Sequence, residues 1–171
     1  MKLTGAGVVV GLVLCLTGLK AWAMGNVPGV DMQSPLLGRG APNFKLKLLD
    51  GTFKSLEEYR QGHNAIIFFW ATWCPHCRAQ LQELKGNIQV MKEKGIKLIL
   101  VNVGEEAEKV KAYLQYNKID LDVFMDEDSE ISLQYGVYGL PTFYFVNRKG
   151  EIVGVDNYIP ENYAALFAPS P

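Results

Sequence analysis

Residues Ala65 to Ala71 read Ala-Ile-Ile-Phe-Phe-Trp-Ala, an unbroken apolar run of seven. A run this short and bulky predicts a strand buried on both faces. Such a strand requires a sheet with a packed layer on each side, so it excludes an all-helical bundle or a one-sided hairpin. The run leads into Thr72-Trp73-Cys74-Pro75-His76-Cys77. Leu81, Leu84, Ile88 and Met91 then keep helical spacing to about Lys94, where Gly95 is a stop signal. Proline at the first helical position costs nothing, which starts this helix at Pro75. A buried strand therefore passes into a helix, and two cysteines three apart stand at the junction.

The same alternation extends along the chain. Phe44, Leu46 and Leu48 alternate with Lys45 and Lys47, predicting a half-buried strand closed by Asp50-Gly51. Ser55 reads as an N-cap with Glu58 three residues on, opening a short helix. Ile96 to Val103 is a second buried strand, and Glu105 to Asn117 carries Val110, Tyr113 and Leu114 at helical spacing. Val123 to Met125 is a short strand, and Ser129 to Tyr135 a short helix ending at Gly136. Thr142 to Val146 and Glu151 to Val155 form a hairpin around Asn147-Arg148-Lys149-Gly150. Pro160 starts a last short helix to about Phe167. Strands alternating with helices, then a hairpin, predict an α/β fold with a central mixed sheet flanked by helices.

At 171 residues, 49% apolar and 20% charged, the chain suits one packed domain rather than a disordered or fibrous protein. Lys and Arg number 17 against 18 Asp and Glu, so no basic field exists for nucleic acid. Residues 1–23 read as a secretory signal peptide. Lys2 is the n-region, Val8 to Leu19 the apolar stretch, and Ala21-Trp22-Ala23 the cleavage pattern. The stretch is shorter than the roughly 20 residues that span a bilayer, although an uncleaved anchor is the alternative reading. Cys15 follows the large Leu14, which disfavours a lipoprotein cleavage site. Cleavage after Ala23 removes Cys15 and leaves Cys74 and Cys77 in a compartment where disulfides persist, the periplasm if the source is bacterial. Residues 24–40, broken by Gly25, Pro28, Gly29, Pro35, Gly38 and Gly40, read as a linker before a domain at 41–171.

Two cysteines three apart on a first helical turn can meet as a disulfide. As a staple, closing a four-residue loop would contribute only about 2 kcal/mol in the chain-entropy model. The placement favours reactivity instead. Cys74 sits just before the helix, where free N–H groups and the positive dipole end stabilise an anion, so its pKa is expected to be lowered. Cys74 is then the nucleophile, and Cys77, one turn in and more covered, resolves the mixed disulfide. Pro75 and His76 tune the pair. A donor at His76 beside the thiolate would stabilise the reduced form and make the disulfide more oxidising. Trp73 is either a side chain at the mouth of the site or a core aromatic. Pro141 in Gly139-Leu140-Pro141-Thr142 has no N–H for a ladder, which hints at a cis bond or an exposed edge.

These residues resemble the thioredoxin superfamily, and more narrowly the TlpA/ResA-like thiol–disulfide oxidoreductases of bacterial envelopes. The resemblance is carried by Gly40-Ala41-Pro42-Asn43-Phe44, Asp50-Gly51, Phe69-Trp70-Ala71-Thr72-Trp73-Cys74-Pro75-His76-Cys77, Tyr135-Gly136-Val137, Gly139-Leu140-Pro141-Thr142 and Asn147-Arg148-Lys149-Gly150. It implies a thioredoxin-like fold, with Cys74 as nucleophile and Cys77 as resolving thiol. It also implies a cis Pro141 beside the pair, whose loop, with Leu140, holds an extended substrate backbone. Partners are then protein thiols and disulfides and a membrane-bound redox protein, in envelope thiol reduction including cytochrome c maturation. No cofactor or metal is implied. Pro75-His76 is similar to the dipeptide of the oxidase DsbA. Where thioredoxins carry a buried acid, six residues before the first cysteine, this chain has Phe68; where many relatives carry Glu, it has Gln80.

Two other readings remain open at this stage. Ala41-Pro42-Asn43-Phe44 and Asp50-Gly51 also resemble the opening of peroxiredoxins, whose pattern places Thr three before the reactive cysteine, where this chain has Ala71, with Thr72 one residue off. A copper- or zinc-binding module could use Cys74, His76 and Cys77, although His63 is remote in sequence. Arg78 after Cys77 breaks the haem-attachment pattern.

Overall fold

A computed structural model describes residues 34–168. The signal-peptide reading, Cys15 and the first part of the linker reading lie outside the described residues. The elements are β1 (Lys45–Leu48), β2 (Phe53–Ser55), α1 (Leu56–Arg60), β3 (Asn64–Trp70), α2 (Pro75–Glu93) and β4 (Ile96–Val103). They continue with α3 (Ala107–Tyr116), β5 (Val123–Asp126), α4 (Glu130–Gln134), β6 (Thr142–Val146), β7 (Ile152–Asp156) and a 3₁₀ turn (Tyr163–Phe167).

The seven strands form one mixed sheet in the order β2-β1-β5-β4-β3-β6-β7. β3, the apolar run, is parallel to β4 and antiparallel to β6. Alternate residues of β3 enter different layers, as the pleat requires. Ile66, Phe68 and Trp70 pack with Leu81, Leu84 and Met91 of α2 and with Val110 and Leu114 of α3. Ala65, Ile67 and Phe69 face the other layer, with Leu56 of α1, Tyr135 and Tyr144. Every residue from Ala65 to Ala71 is 0% exposed. Burying each large side chain of that run contributes roughly 1.5–3 kcal/mol, which is why the run sets the fold.

Local signals account for most element ends. Ser55 Oγ accepts from Glu58 N–H at 3.2 Å, and Glu58 accepts from Ser55 N–H at 2.7 Å, a complete capping box on α1. Three expectations need correction. β2 was not anticipated, since three residues are too few to display a period. It forms because the turn at Asp50 and Gly51 (φ 89°) folds Phe53 back onto Lys47. α4 begins at Glu130, one residue after the expected Ser129, and the carboxylate of Asp126 accepts from Ile131 and Ser132 N–H at 3.0 and 2.8 Å. The last helical segment is a 3₁₀ turn that begins at Tyr163, not Pro160. Within the span read as linker, Gly38 N–H bonds Ile152 O at 2.8 Å, and Gly40 bridges to Glu151. Among the described residues, no helix is long and apolar enough to cross a membrane.

Candidate active site at the start of the second helix

β3 and β4 are parallel, so both deliver their C-terminal ends to one edge of the sheet. Beyond Trp70 the chain turns through Ala71, Thr72 and Trp73 and enters α2 at Pro75. Cys74 is the N-cap of this 19-residue helix, and its Sγ accepts the N–H of Cys77 at 3.1 Å. A sulfur thus occupies the place where a serine or aspartate oxygen usually satisfies an orphan donor. No acidic residue stands in the first turn of α2, so the positive end of the helix acts on Cys74 without a competing anion.

Cys74 and Cys77 are joined as a disulfide with their Cα atoms 5.2 Å apart. Cys74 is 4% exposed and Cys77 is fully buried, the asymmetry expected of an outer and an inner sulfur. Pro75 and His76 are exposed. Trp73 is 62% exposed, so it is not a core aromatic. The Leu140–Pro141 peptide is cis. Pro141 is buried and Leu140 half-buried, and Thr142 Oγ1 donates to Gly139 O at 2.7 Å across the turn. A groove of about 410 Å³ brings His76, Ala79 and Gln80 together with Gly139, Leu140, Pro141, Asn157 and Tyr158. Of the predicted residues, His76 on α2 and Leu140 and Pro141 on the loop line this groove together.

Sequence reasoning missed a residue that braces this loop. Glu105, read only as a helix start, is 5% exposed. Its carboxylate accepts from Thr72 N–H and Thr72 Oγ1, both at 2.6 Å, and from Asn102 Nδ2 at 2.9 Å. Lys109 Nζ lies 2.8 Å from Oε1, the oxygen that also accepts the Thr72 hydroxyl. Burial pushes its pKa up, but the bonds from Lys109, Thr72 and Asn102 outweigh that and hold it below its ordinary value. A carboxylate that fixes both the backbone and the hydroxyl of Thr72 sets the path of the chain two residues before Cys74. The signal in the sequence was slight: an acid just past the C-terminal end of a buried strand carrying Asn102.

The metal reading finds little support in these positions. Among the described residues, no three His, Cys, Asp or Glu side chains gather as a metal site. His63 lines a separate cavity of about 460 Å³ with Tyr59, Lys97 and Asp122. That cavity lies at the N-terminal end of β4, opposite the cysteines, and contains no thiol.

The sequence profile of the AhpC/TSA family matches residues 37–155. The chain is 28% identical to thiol-disulfide oxidoreductase ResA of Bacillus subtilis over 145 residues, covering 85% of this chain and 80% of the relative. It is 31% identical to thiol:disulfide interchange protein DsbE of Escherichia coli over 147 residues, covering 81% and 77%. Among solved structures, a thiol:disulfide interchange protein of the thioredoxin family from Chlorobium tepidum superposes with a TM-score of 0.59. It is 27% identical, with 68% of this chain and 83% of that one covered.

Proposed function

Since the chain belongs to the AhpC/TSA family and is a thioredoxin-like thiol–disulfide oxidoreductase, we propose that Cys74 and Cys77 are its redox pair. The observation that carries this reading is the N-cap position of Cys74: its sulfur accepts from the first turn of α2, beside the groove of Pro141. In the direction that reduces the substrate, the Cys74 thiolate attacks a substrate disulfide and expels one substrate thiol. Cys77 then attacks Cys74, closes the intramolecular disulfide and releases the second thiol. In the direction that oxidises a substrate dithiol, the same steps run backwards from the Cys74–Cys77 disulfide.

Trp73, Leu140 and Pro141 form the substrate contact surface, which suits an extended peptide flanking a cysteine. Pro75 and His76 set the balance between the two redox forms. The protein is exported on residues 1–23 and works on protein thiols and disulfides with a membrane-bound redox partner, in envelope thiol reduction that includes cytochrome c maturation.

Peroxidase chemistry is disfavoured by Thr72. Its hydroxyl is committed to Glu105 at 2.6 Å and lies two residues before Cys74, not three. The test is equilibration with glutathione redox buffers. The expected result is one two-electron transition ending in a Cys74–Cys77 disulfide. His76→Pro, which removes the imidazole from the first turn of α2, is expected to make the couple more reducing, by roughly 30 mV or more. A pair that does not equilibrate with glutathione and is oxidised only by peroxide would assign the chain to peroxidases. An unchanged or higher potential in His76→Pro would remove the tuning role of His76.

A further inference from the structure

β4 pairs with β3 from its first residue, Ile96, but with β5 only from Leu100, opposite Val123. Within a strand, successive residues send their backbone N–H and C=O to opposite neighbours. Gly104 N–H, directly after β4, donates to Asp126 O at 2.9 Å. The even-numbered residues of β4 therefore face the β5 side, and the odd-numbered ones face β3. Ile96 and Leu98 thus send their N–H and C=O to the side where β5 has not yet begun and the chain at Asp120, Leu121 and Asp122 runs past. Among the described residues, no backbone hydrogen bond joins Ile96 or Leu98 to that segment. Both residues are buried, at 4% and 7% exposure. Buried backbone donors and acceptors are paired almost everywhere in folded proteins, so an unpaired strand edge inside a sheet calls for a partner.

A cavity of about 460 Å³ opens on this edge. Its lining reaches both faces of the sheet. On the α2 side, Ile88, Leu98, Leu100 and Leu121 make an apolar wall. On the other side stand Tyr59 and Lys97, with the Lys97 Nζ 5.8 Å from the centre of the Tyr59 ring. Lys92 and Lys97 are balanced by Asp120 and Asp122, and Asp122 accepts the Tyr59 hydroxyl at 3.1 Å. A single ion of either sign gains little from such a lining. A peptide backbone is neutral and carries a donor and an acceptor on each residue, which matches both the strand edge and the charge balance. An extended peptide also sends alternate side chains to opposite faces, so one would enter the apolar wall while its neighbours lie against Tyr59.

We propose that this edge of β4 is a second protein-binding site, which takes an extended, uncharged segment of a partner protein as a short added strand beside Ile96 and Leu98. The segment is about three residues long, the length that runs from Ile96 to Leu98 at roughly 3.3 Å per residue. The site stands at the opposite edge of the sheet from Cys74, so a partner held there leaves the groove at Pro141 open to substrate. It does not depend on the roles of the two cysteines.

The test uses the full-length protein, with the blocked peptide acetyl-Thr-Leu-Thr-amide as probe and acetyl-Thr-Asp-Thr-amide as control. In the free protein the Leu98 amide is expected to exchange with solvent at least about tenfold faster than the amides of Lys97 and Ile99, which face β3. The leucine peptide should slow exchange at Leu98 by at least about tenfold and shift the Ile96 and Leu98 amide resonances, leaving those of the Pro141 loop in place. The aspartate peptide should bind at least about tenfold more weakly, since its charge would enter the apolar wall. Ile88→Trp and Leu121→Trp each fill that wall and should weaken binding by at least about tenfold, while equilibration with glutathione stays at the wild-type value. Equal exchange at Leu98 and Ile99 in the free protein would overturn the proposal, because the edge would already be paired. So would a peptide that leaves Leu98 exchange unchanged, or that binds both tryptophan variants as tightly as wild type. Self-association that protects Leu98 without peptide would assign the edge to a second copy of the chain and overturn it as well.

Discussion

Cys74→Ser is expected to abolish thiol–disulfide exchange, and Cys77→Ser to halt it one step later with substrate still attached to Cys74. The two sulfurs are neighbours on one helical turn, but their surroundings differ. Cys74 caps α2 and accepts the Cys77 N–H at 3.1 Å, whereas Cys77 is fully buried beneath it. Only the outer sulfur caps the positive end of the helix. Removing it removes the nucleophile, and turnover is expected to fall by at least about 10³-fold. Removing Cys77 leaves the first attack intact and eliminates the resolving thiol, so the mixed disulfide accumulates to one per chain. Turnover of a peptide disulfide, with non-reducing gels or mass spectrometry of trapped species, reads both outcomes. Wild-type turnover in either variant, or trapping by Cys74→Ser in place of Cys77→Ser, would reverse or remove the assigned roles.

Glu105→Ala is expected to cost about 3 kcal/mol of stability, large for a residue outside the hydrophobic layers. The substitution leaves the Thr72 N–H, the Thr72 hydroxyl and the Asn102 amide buried without their acceptor. It also leaves Lys109, itself exposed, without its partner. Because the carboxylate is held below its ordinary value near 4.5, its contribution is complete above that pH and is lost as pH falls through the lower folded value. The stability gap between wild type and Glu105→Gln should therefore stay level from neutral pH to about pH 5 and narrow below it. Urea unfolding across that range measures the gap. A gap that widens on acidification, or a loss below about 0.5 kcal/mol for Glu105→Ala, would show that the brace contributes little.

What could be read in advance, and what could not, follows from how far each interaction reaches along the chain. The β3 run, the periodicity of α2 and the Cys74–Cys77 spacing are local patterns, and each produced the element expected. The capping box at Ser55 is local too. Asp126 caps α4 from the end of β5, and its role depends on where that strand meets the helix. Glu105 acts on Thr72, 33 residues away, through a contact that exists only once β3 and β4 lie parallel. Trp73 could have been a core residue by composition alone, and only the turn before α2 leaves it exposed. The chemistry was legible because it is written in five consecutive residues. The groups that brace it were not, because they arrive through tertiary pairing.

The account depends on an acidic sulfur at Cys74, made so by the helix it caps. The direct measurement is the rate of alkylation of each cysteine in the reduced protein as a function of pH, with the site of modification read by mass spectrometry. Cys74 should react first, with a midpoint at or below about pH 7, while Cys77 stays protected. A midpoint near the free-thiol value of about 8.5, or earlier reaction of Cys77, would contradict it.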